Sequence, residues 1–544
     1  MDSYKGGTVL IGSGVDPTGI GNSGGINITT GSLSLINNAQ VSSYTRGQGN
    51  TGRVNINARD RVFLDRGTAI NNADANAIFS AVAPGGVGNS GGINITTESL
   101  SLTGGSQLSS FTLGQGNAGN VTINARDRIS IDGALYGGNI SGIVMQVTSG
   151  AVGQGGTVTI TTGLLSLTNG GFISTANYGG IGNAGRVTIT ARDSVQISGA
   201  ALVPVMDNNI RSTVSTSVSS GSVGSGGDVS ITTGSLSVSN QGIIITNIEG
   251  QGRAGNIQIQ ASGNVSFNGG DAISTLEPSG TGRGGNIDIT ARSLSVLNNA
   301  QLSASTAGEG NAGNITVSAD LVGVNSGGQL RTTTSSNNGQ AGDITVNTPN
   351  LQLSGATSGL FADTTSAGAA GNLTIQPRSN EQSVRVNLQD GAQISASTSS
   401  SGRGGELTIA APESITLTGN GSIIAAGTGG SGDGGNLNLQ TGTLNIQNQA
   451  EATVSSSGIG SAGNLFVDAD RIFLNNQGSI RADTSGGGGN INLRSPSGNK
   501  QLLVTKLAAI VSIRGWYSAF LPLRLMIWDS RHKLKGRSSK LSRY

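Results

Sequence analysis

Apolar and polar residues alternate along most of this chain with the two-residue period of a β-strand. No stretch before residue 499 sustains the i, i+3, i+4 apolar stripe of a helix. In GGNIDITARSLSVLNNAQLSAST, starting at Gly284, Ile287 and Ile289 share a face opposite Asp288. Leu294 and Val296 repeat the pattern, and Ala300, Leu302 and Ala304 continue it. Three short strands separated by Gly, Asn and Ser turns are predicted in each such block.

The block recurs. A signature of the form small-Gly-x-apolar-x-apolar reads GGINIT at Gly24 and again at Gly91, AGNVTI at Ala118, AGNIQI at Ala254, GGNIDI at Gly284 and GGNLNL at Gly434. Sixteen clear copies run from Gly24 to Gly488, and GGTVLI at Gly6 reads as a seventeenth. Most spacings are 26–30 residues, whereas three early ones are longer, at 52 to 92, 119 to 156 and 185 to 227. Early units alternate between ITTGSLSL (Ile28 to Leu35) and an ARD type, INARDRV (Ile56 to Val62), INARDRI (Ile123 to Ile129) and ITARDSV (Ile189 to Val195). A period of this size with three strands per unit describes one coil of a parallel β-helix. The expected fold is all-β: a right-handed parallel solenoid of about 17 coils over residues 6–498, followed by a non-repeat tail, 499–544. A single coil buries too few aliphatic side chains to offset the entropy of ordering its backbone, so folding requires stacking. At a strand separation of roughly 4.8 Å, seventeen coils make a rod of about 80 Å.

Composition removes most catalytic chemistry. The 544 residues include no Cys and one His, His532, so thiolate zinc sites, disulfides and most His-dependent triads are absent from the sequence. Charged residues make up 11 %, and the net charge of +2 gives no general nucleic-acid footprint. Glycine supplies 91 positions. Its G-x-G-x-x-G runs, such as Gly114/Gly116/Gly119 and Gly308/Gly310/Gly313, end on the signature and run into strands. They are therefore expected to form corners with positive φ rather than dinucleotide loops. Asn recurs after the signature Gly (Asn256, Asn286, Asn314, Asn372, Asn436, Asn464, Asn490), either as a side-chain ladder or because Asn tolerates turns. The N-x-[ST] matches at Asn120, Asn314 and Asn372 fall inside strands. Gly429-Gly430-Ser431-Gly432-Asp433 does not recur at the nine-residue period of calcium-binding solenoids. The Arg59/Asp60 and Arg126/Asp127 pairs occupy equivalent places and predict a structural ladder or solvated ion pairs. No catalytic, cofactor or metal residue is assigned. The long spacings, around 71–84, 133–149 and 200–219, predict loops that serve either recognition or only extra strand.

The runs GQGNAGNVTINARD (Gly114 to Asp127) and GGINITTGSLSL (Gly24 to Leu35) resemble the filamentous-haemagglutinin-like large exoproteins of bacterial two-partner secretion, cyanobacterial type. The resemblance covers roughly 6–498 and implies a right-handed β-helix exported through an outer-membrane transporter and exposed at the cell surface. Adhesion to surface glycans or other cells is the implied role. The NPNL- and NPNGI-like motifs of that family's secretion domain do not occur, and MDSYKGGTVLIG lacks a charged-then-apolar leader. The expectation is therefore a shaft fragment without that domain.

The tail has a different composition. From Lys500 onward there are ten Lys/Arg and one acid, Asp529, with both tryptophans, Trp516 and Trp528. Lys506, Arg514, Pro522 and Arg524 interrupt any membrane span; out-of-frame translation or a basic surface helix accounts for the change. Taken together, the sequence reads as a non-enzymatic, secreted or cell-surface adhesive rod. A polysaccharide-active β-helix enzyme is the alternative and requires a charged cluster that breaks the repeat. An ice-binding solenoid would need long Thr-x-Thr rows, which Thr157/Thr159 and Thr188/Thr190 do not extend.

Overall fold

The computed structural model describes residues 9–495 except 38, 67–75, 134–138, 202–209, 337–338 and 380–382. Beyond 495 it describes the strand backbones Gln501–Thr505, Val511–Ser512 and Met526–Trp528. Among the described residues there is no helix, and every coil-to-coil pairing is parallel. The chain is a β-solenoid. Sixteen signature strands stack from Ile26 to Ile491, so fifteen full turns separate the first from the last. At roughly 4.8 Å per turn these cover about 70 Å. Of the GGTVLI stretch at Gly6, Leu10 and Ile11 belong to the strand Leu10–Val15, which pairs with Gln40–Thr45 in the second sheet, a sheet of 17 strands.

Each coil contributes a bent strand to the first sheet, then a strand to the second, then a closing corner. Val229–Ser239 runs through the bend as one strand. In the next coil its two arms are separate strands, Ile257–Ala261 and Asn264–Asn268, and the arms rejoin in Leu407–Thr418. Inward positions follow the sequence pattern. Ile287, Ile289, Leu294, Val296, Ala300, Leu302 and Ala304 are all buried, and their counterparts form one continuous core along the rod. Because each Ile or Val lies over another in register, the apolar interior has no gap between coils.

The second signature glycine has a cause that composition did not reveal. A Cβ on Gly255 would lie 1.7 Å from the carbonyl oxygen of Gly227, and one on Gly435 equally close to that of Gly405. These glycines stack so closely that no side chain fits between rungs. Positive φ occurs at this signature position in Gly92 (80°) and Gly489 (85°) but belongs regularly to the middle glycine of the G-x-G-x-x-G runs, as at Gly116 (134°) and Gly310 (152°). The corner between the two sheets is turned by other residues in the left-handed region, Asn298 and Asn299, Asn448 and Gln449, Asn476 and Gln477.

The Asn after the signature glycine forms a ladder from side chain to backbone. The Asn286 amide N–H donates to Asn256 Oδ1 and the Asn314 N–H to Asn286 Oδ1, each at 2.9 Å. Asp343 and Asn372 continue the series. None of these residues has positive φ, so turn tolerance is not why Asn stands there.

Past residue 499 the ladders extend in backbone register. Gln501–Thr505 pairs with the strand Leu465–Asn475, and Met526–Trp528 pairs with Gln501–Thr505. Residues 506–510, 513–525 and 529–544 lie outside the described residues, and with them most of the segment read as a frameshift product or basic helix.

Candidate functional site

Outward positions of the second sheet form straight rows, and most are filled by Ser, Thr, Gln or Ala. One row runs Ser303, Arg331, Phe361, Ser395, Ala425, Thr453, Arg481 through successive coils, and its neighbour runs Ser305, Thr333, Asp363, Ser397, Gly427, Ser455, Asp483. Within these two stretches the sequence departs from small polar residues at two places, and each departure brings a charged group to the surface. In earlier coils the same face carries Tyr44, Phe79 and Phe111, with the Phe79 and Phe111 rings stacked 6.1 Å apart.

The first place is a groove of about 710 Å³ over the coils from Thr275 to Gln393, lined by Gln329, Arg331, Phe361, Asp363, Gln393 and small hydroxyl residues. A Cβ on Gly359 would come within 2.7 Å of the Phe361 ring, so the ring lies over that glycine on the sheet surface. Asp363 Oδ1 accepts from Ser395 Oγ at 2.6 Å and from the Ser397 N–H at 2.7 Å. Burial holds this carboxyl above the usual carboxylate range; the Ser395 and Ser397 bonds and the Arg331 charge offset only part of that. Arg331 donates to Gln329 Oε1 at 3.2 Å, and Gln329 Nε2 donates to the Thr357 carbonyl at 2.8 Å, which orients the guanidinium. Asp363 is the sole acid lining the groove, so the two opposed carboxylates of glycoside hydrolysis are not assembled there.

The second place is Glu451, Arg481 and Asp483. Arg481 lies between the two acids, with Nε 3.7 Å from Glu451 Oε1 and the guanidinium bonded to Asp483. Burial raises the Glu451 carboxyl, with Arg481 pulling it back.

The charged pairs flagged in the repeat sit elsewhere, at the bend of the first sheet. The ARD coils carry one extra residue there, and register resumes with Thr30 opposite Ala58 and Ser32 opposite Arg61. The bulge pushes the pair into solvent: Arg59 and Asp60 are bonded at 2.9 Å, and Arg192 and Asp193 at 2.7 Å. Arg126 instead reaches Glu98 of the preceding coil at 2.6 Å, because Glu98 replaces the glycine found at Gly31. A shallow pocket of about 450 Å³ lies among Arg59, Glu98, Arg126 and Arg192. These are solvated ion pairs on alternate coils.

The same ARD coils hold all three long spacings, and each insertion enters at the corner between the two sheets. Most inserted residues lie outside the described residues. The third has a described base, an antiparallel pairing of Ala200–Ala201 with Ile210–Arg211, where Arg211 reaches Asp271 Oδ2 at 2.5 Å. The Thr rows are short: Thr161, Thr190 and Thr232 are in register, but Asn124 and Gln260 bound them. Asp433 belongs to a ladder, accepting the Ser461 N–H at 2.9 Å. The sequence reading missed an exposed ridge at one corner, in which Ile20, Gln48, Val87, Gln115, Val152, Ile181 and Val223 stand in successive coils.

Among the described residues, no three His, Cys, Asp or Glu side chains are placed to hold a metal ion, and no helix is long and apolar enough to cross a membrane. No protein-family model, curated protein or solved structure matches this chain.

Proposed function

We propose that this chain is the shaft of a secreted or cell-surface adhesive rod, which binds through its outer faces and catalyses no reaction. The observation that supports this reading most is the continuous register of the coils. It presents long rows of small polar side chains, with solvated ion pairs recurring on alternate coils. Many weak contacts along such a surface add through effective concentration, so no single deep pocket is needed. In this reading the full-length product meets an outer-membrane two-partner-secretion transporter on export, and surface glycans or other cells are its targets.

Purified chain added to cells and to immobilised polysaccharides tests the proposal. Retention on the surface is expected, without release of new reducing ends or unsaturated uronic ends. Turnover of any polysaccharide would overturn the reading in favour of a β-helix lyase or hydrolase. The Glu451, Arg481 and Asp483 cluster favours that second reading, because it breaks the repeat with two acids and a base on one face. Glu451→Gln should then abolish the turnover.

A further inference from the structure

The Arg331–Phe361–Asp363 groove interrupts the small polar rows of the second sheet's outer face. It joins an aromatic ring, a guanidinium, a carboxylate and side-chain amides over a floor of hydroxyls. Its volume of about 710 Å³ lies within the roughly 300–1,000 Å³ of small-molecule sites.

The composition of the groove selects the ligand class. A peptide binding by strand addition needs an open sheet edge, but here the second-sheet strands above and below are already paired. Large apolar side chains would find no apolar pocket, since the lining other than Phe361 is Ser, Thr, Gln, Ala, Arg and Asp. A polyanion needs a surplus of positive charge, whereas the lining holds one cation and one anion, Arg331 and Asp363. A pyranose ring has one face of C–H groups and an equatorial rim of hydroxyls. That pattern matches an aromatic ring beside planar donors and acceptors.

We propose that this groove binds an uncharged oligosaccharide, with Phe361 under a sugar ring and Asp363 and Arg331 as the ligands of its hydroxyls. Both hydrogen bonds to Asp363 fall on Oδ1, which leaves Oδ2 to accept from a sugar hydroxyl. Arg331 lines the groove and is oriented through Nη1 by Gln329 Oε1, and its other N–H groups are the donors assigned to the ligand. Gln393 and Thr365 lie on the flanks of the same groove and extend the polar rim. The proposal rests on the adhesive reading and gives it a ligand class.

The test is calorimetric titration of the full chain with cellotetraose, mannotetraose and xylotetraose, with trigalacturonate as the charged control. At least one neutral tetrasaccharide is expected to bind in the micromolar-to-millimolar range, and more tightly than the control. Phe361→Ala should weaken it roughly tenfold. Ser305→Trp, which fills the groove from its floor, should abolish it, while Arg471→Ala on the exposed side of the first sheet should leave it unchanged. All three positions are at the surface, and matching thermal midpoints will show that the variants fold. Failure of all three neutral sugars to bind, preference for the charged control, or binding unaffected by Phe361→Ala and Ser305→Trp would overturn the proposal. In that case adhesion of the chain to cells, measured separately, can still stand. Loss of adhesion with sugar binding intact would instead remove the rod reading and leave the groove.

Discussion

The coils from Thr213 to Leu276 and those from Gln301 to Thr484 build the same cross-section with two inward residues exchanged. In the earlier coils the second sheet turns a hydroxyl inward and then an apolar residue two places on: Thr216 and Val218, Thr246 and Ile248, Ser274 and Leu276. In the later coils the order is reversed, as in Ala304 and Thr306, Ala362 and Thr364, Ala396 and Thr398, Ala426 and Thr428. One of these coils is an exception and turns hydroxyls inward at both places, Thr332 and Thr334, and there Thr332 Oγ1 still donates to the Gly342 carbonyl at 2.5 Å. The earlier hydroxyls hold the signature glycine. Thr216 Oγ1 donates to the Gly227 carbonyl at 2.5 Å, Thr246 Oγ1 to that of Gly255 at 2.6 Å, and the Gly285 N–H donates to Ser274 Oγ at 3.1 Å. Where Ala stands, a main-chain carbonyl takes over: the Gly313, Gly371 and Gly405 N–H groups donate to Ala304, Ala362 and Ala396 at 2.9–3.1 Å. The displaced hydroxyl then pins the corner. Thr398 and Thr428 Oγ1 each accept the N–H two residues on, at 3.3 Å. The apolar corner cluster of Val218, Ile248 and Leu276 ends where Thr306 begins. Burial and hydrogen bonding thus close the same corner interchangeably, provided that every inward hydroxyl has a partner.

Both regions depend on the stacked glycines, so the largest effect should be common to them. Gly255→Val and Gly435→Val each force a branched side chain against a main-chain carbonyl that cannot move without breaking the ladder. The expected loss is more than about 4 kcal/mol, in the range reserved for backbone incompatibility and overpacking. In a solenoid the damage divides the molecule rather than dissolving it. Urea unfolding should separate into two transitions, and proteolysis should cut near the substituted coil. A single transition with an unchanged midpoint would refute the close-stacking account.

An intermediate effect probes the exchange itself. Thr246→Ala removes a buried bond at a cost of about 1 kcal/mol, since Ser274 also donates to the Gly255 carbonyl. Ile248→Thr should cost about 2–3 kcal/mol, by losing apolar burial and adding a buried hydroxyl. The double variant recreates the later arrangement in a coil whose corner is the same length as that after Thr306. Its loss should fall short of the sum by about 0.5–1 kcal/mol, a coupling of ordinary size for neighbours. Strict additivity in denaturant midpoints would mean that the two positions do not substitute for one another.

Much of this was legible in the chain and some was not, for physical reasons. The alternation around Ile287, Ile289, Leu294 and Val296 gives strand, face and core, because a two-residue period has one structural meaning when it repeats. The solvated Arg59–Asp60 pair could be read from its recurrence. The cause of the glycine signature could not, since φ freedom and close approach select the same residue, and only coordinates distinguish them. Asn298 and Asn256 look equivalent in sequence, yet one turns a corner and the other accepts an N–H from the next coil. The Phe361 groove was hidden by varying coil length. Arg331 follows its signature glycine, Gly313, by 18 residues, and Phe361 follows Gly342 by 19, while Ser395 lies 24 beyond Gly371. Residues that share a row therefore drift apart in any alignment anchored on glycine.

The smallest expected effect is a pH response of opposite sign in the two parts of the rod. In the coils that precede Thr213, at the start of the rod, Asp60 and Asp193 are held below the usual range by bonds from Arg59 and Arg192. A depressed carboxyl contributes stability that is present above its unfolded pKa and lost as pH falls through the folded one. Both pairs are fully exposed, so that loss is screened and slight. In the later coils Asp288, Asp363 and Glu451 are raised by burial. Their protonated forms are favoured by folding, so their contribution is present below the unfolded values, near 3.8 for Asp and 4.5 for Glu, and is lost as pH rises through the folded values. Acidification from neutrality toward pH 4 should therefore strengthen the later coils relative to the earlier ones. Hydrogen exchange read coil by coil would show protection rising around Phe361 and Thr453 while that around Arg59 stays flat or declines. Asp363→Asn and Glu451→Gln should abolish the rise, since neither replacement can ionise. A uniform decline along the whole rod, or a rise that persists in both variants, would show that burial of these carboxyls does not set the response.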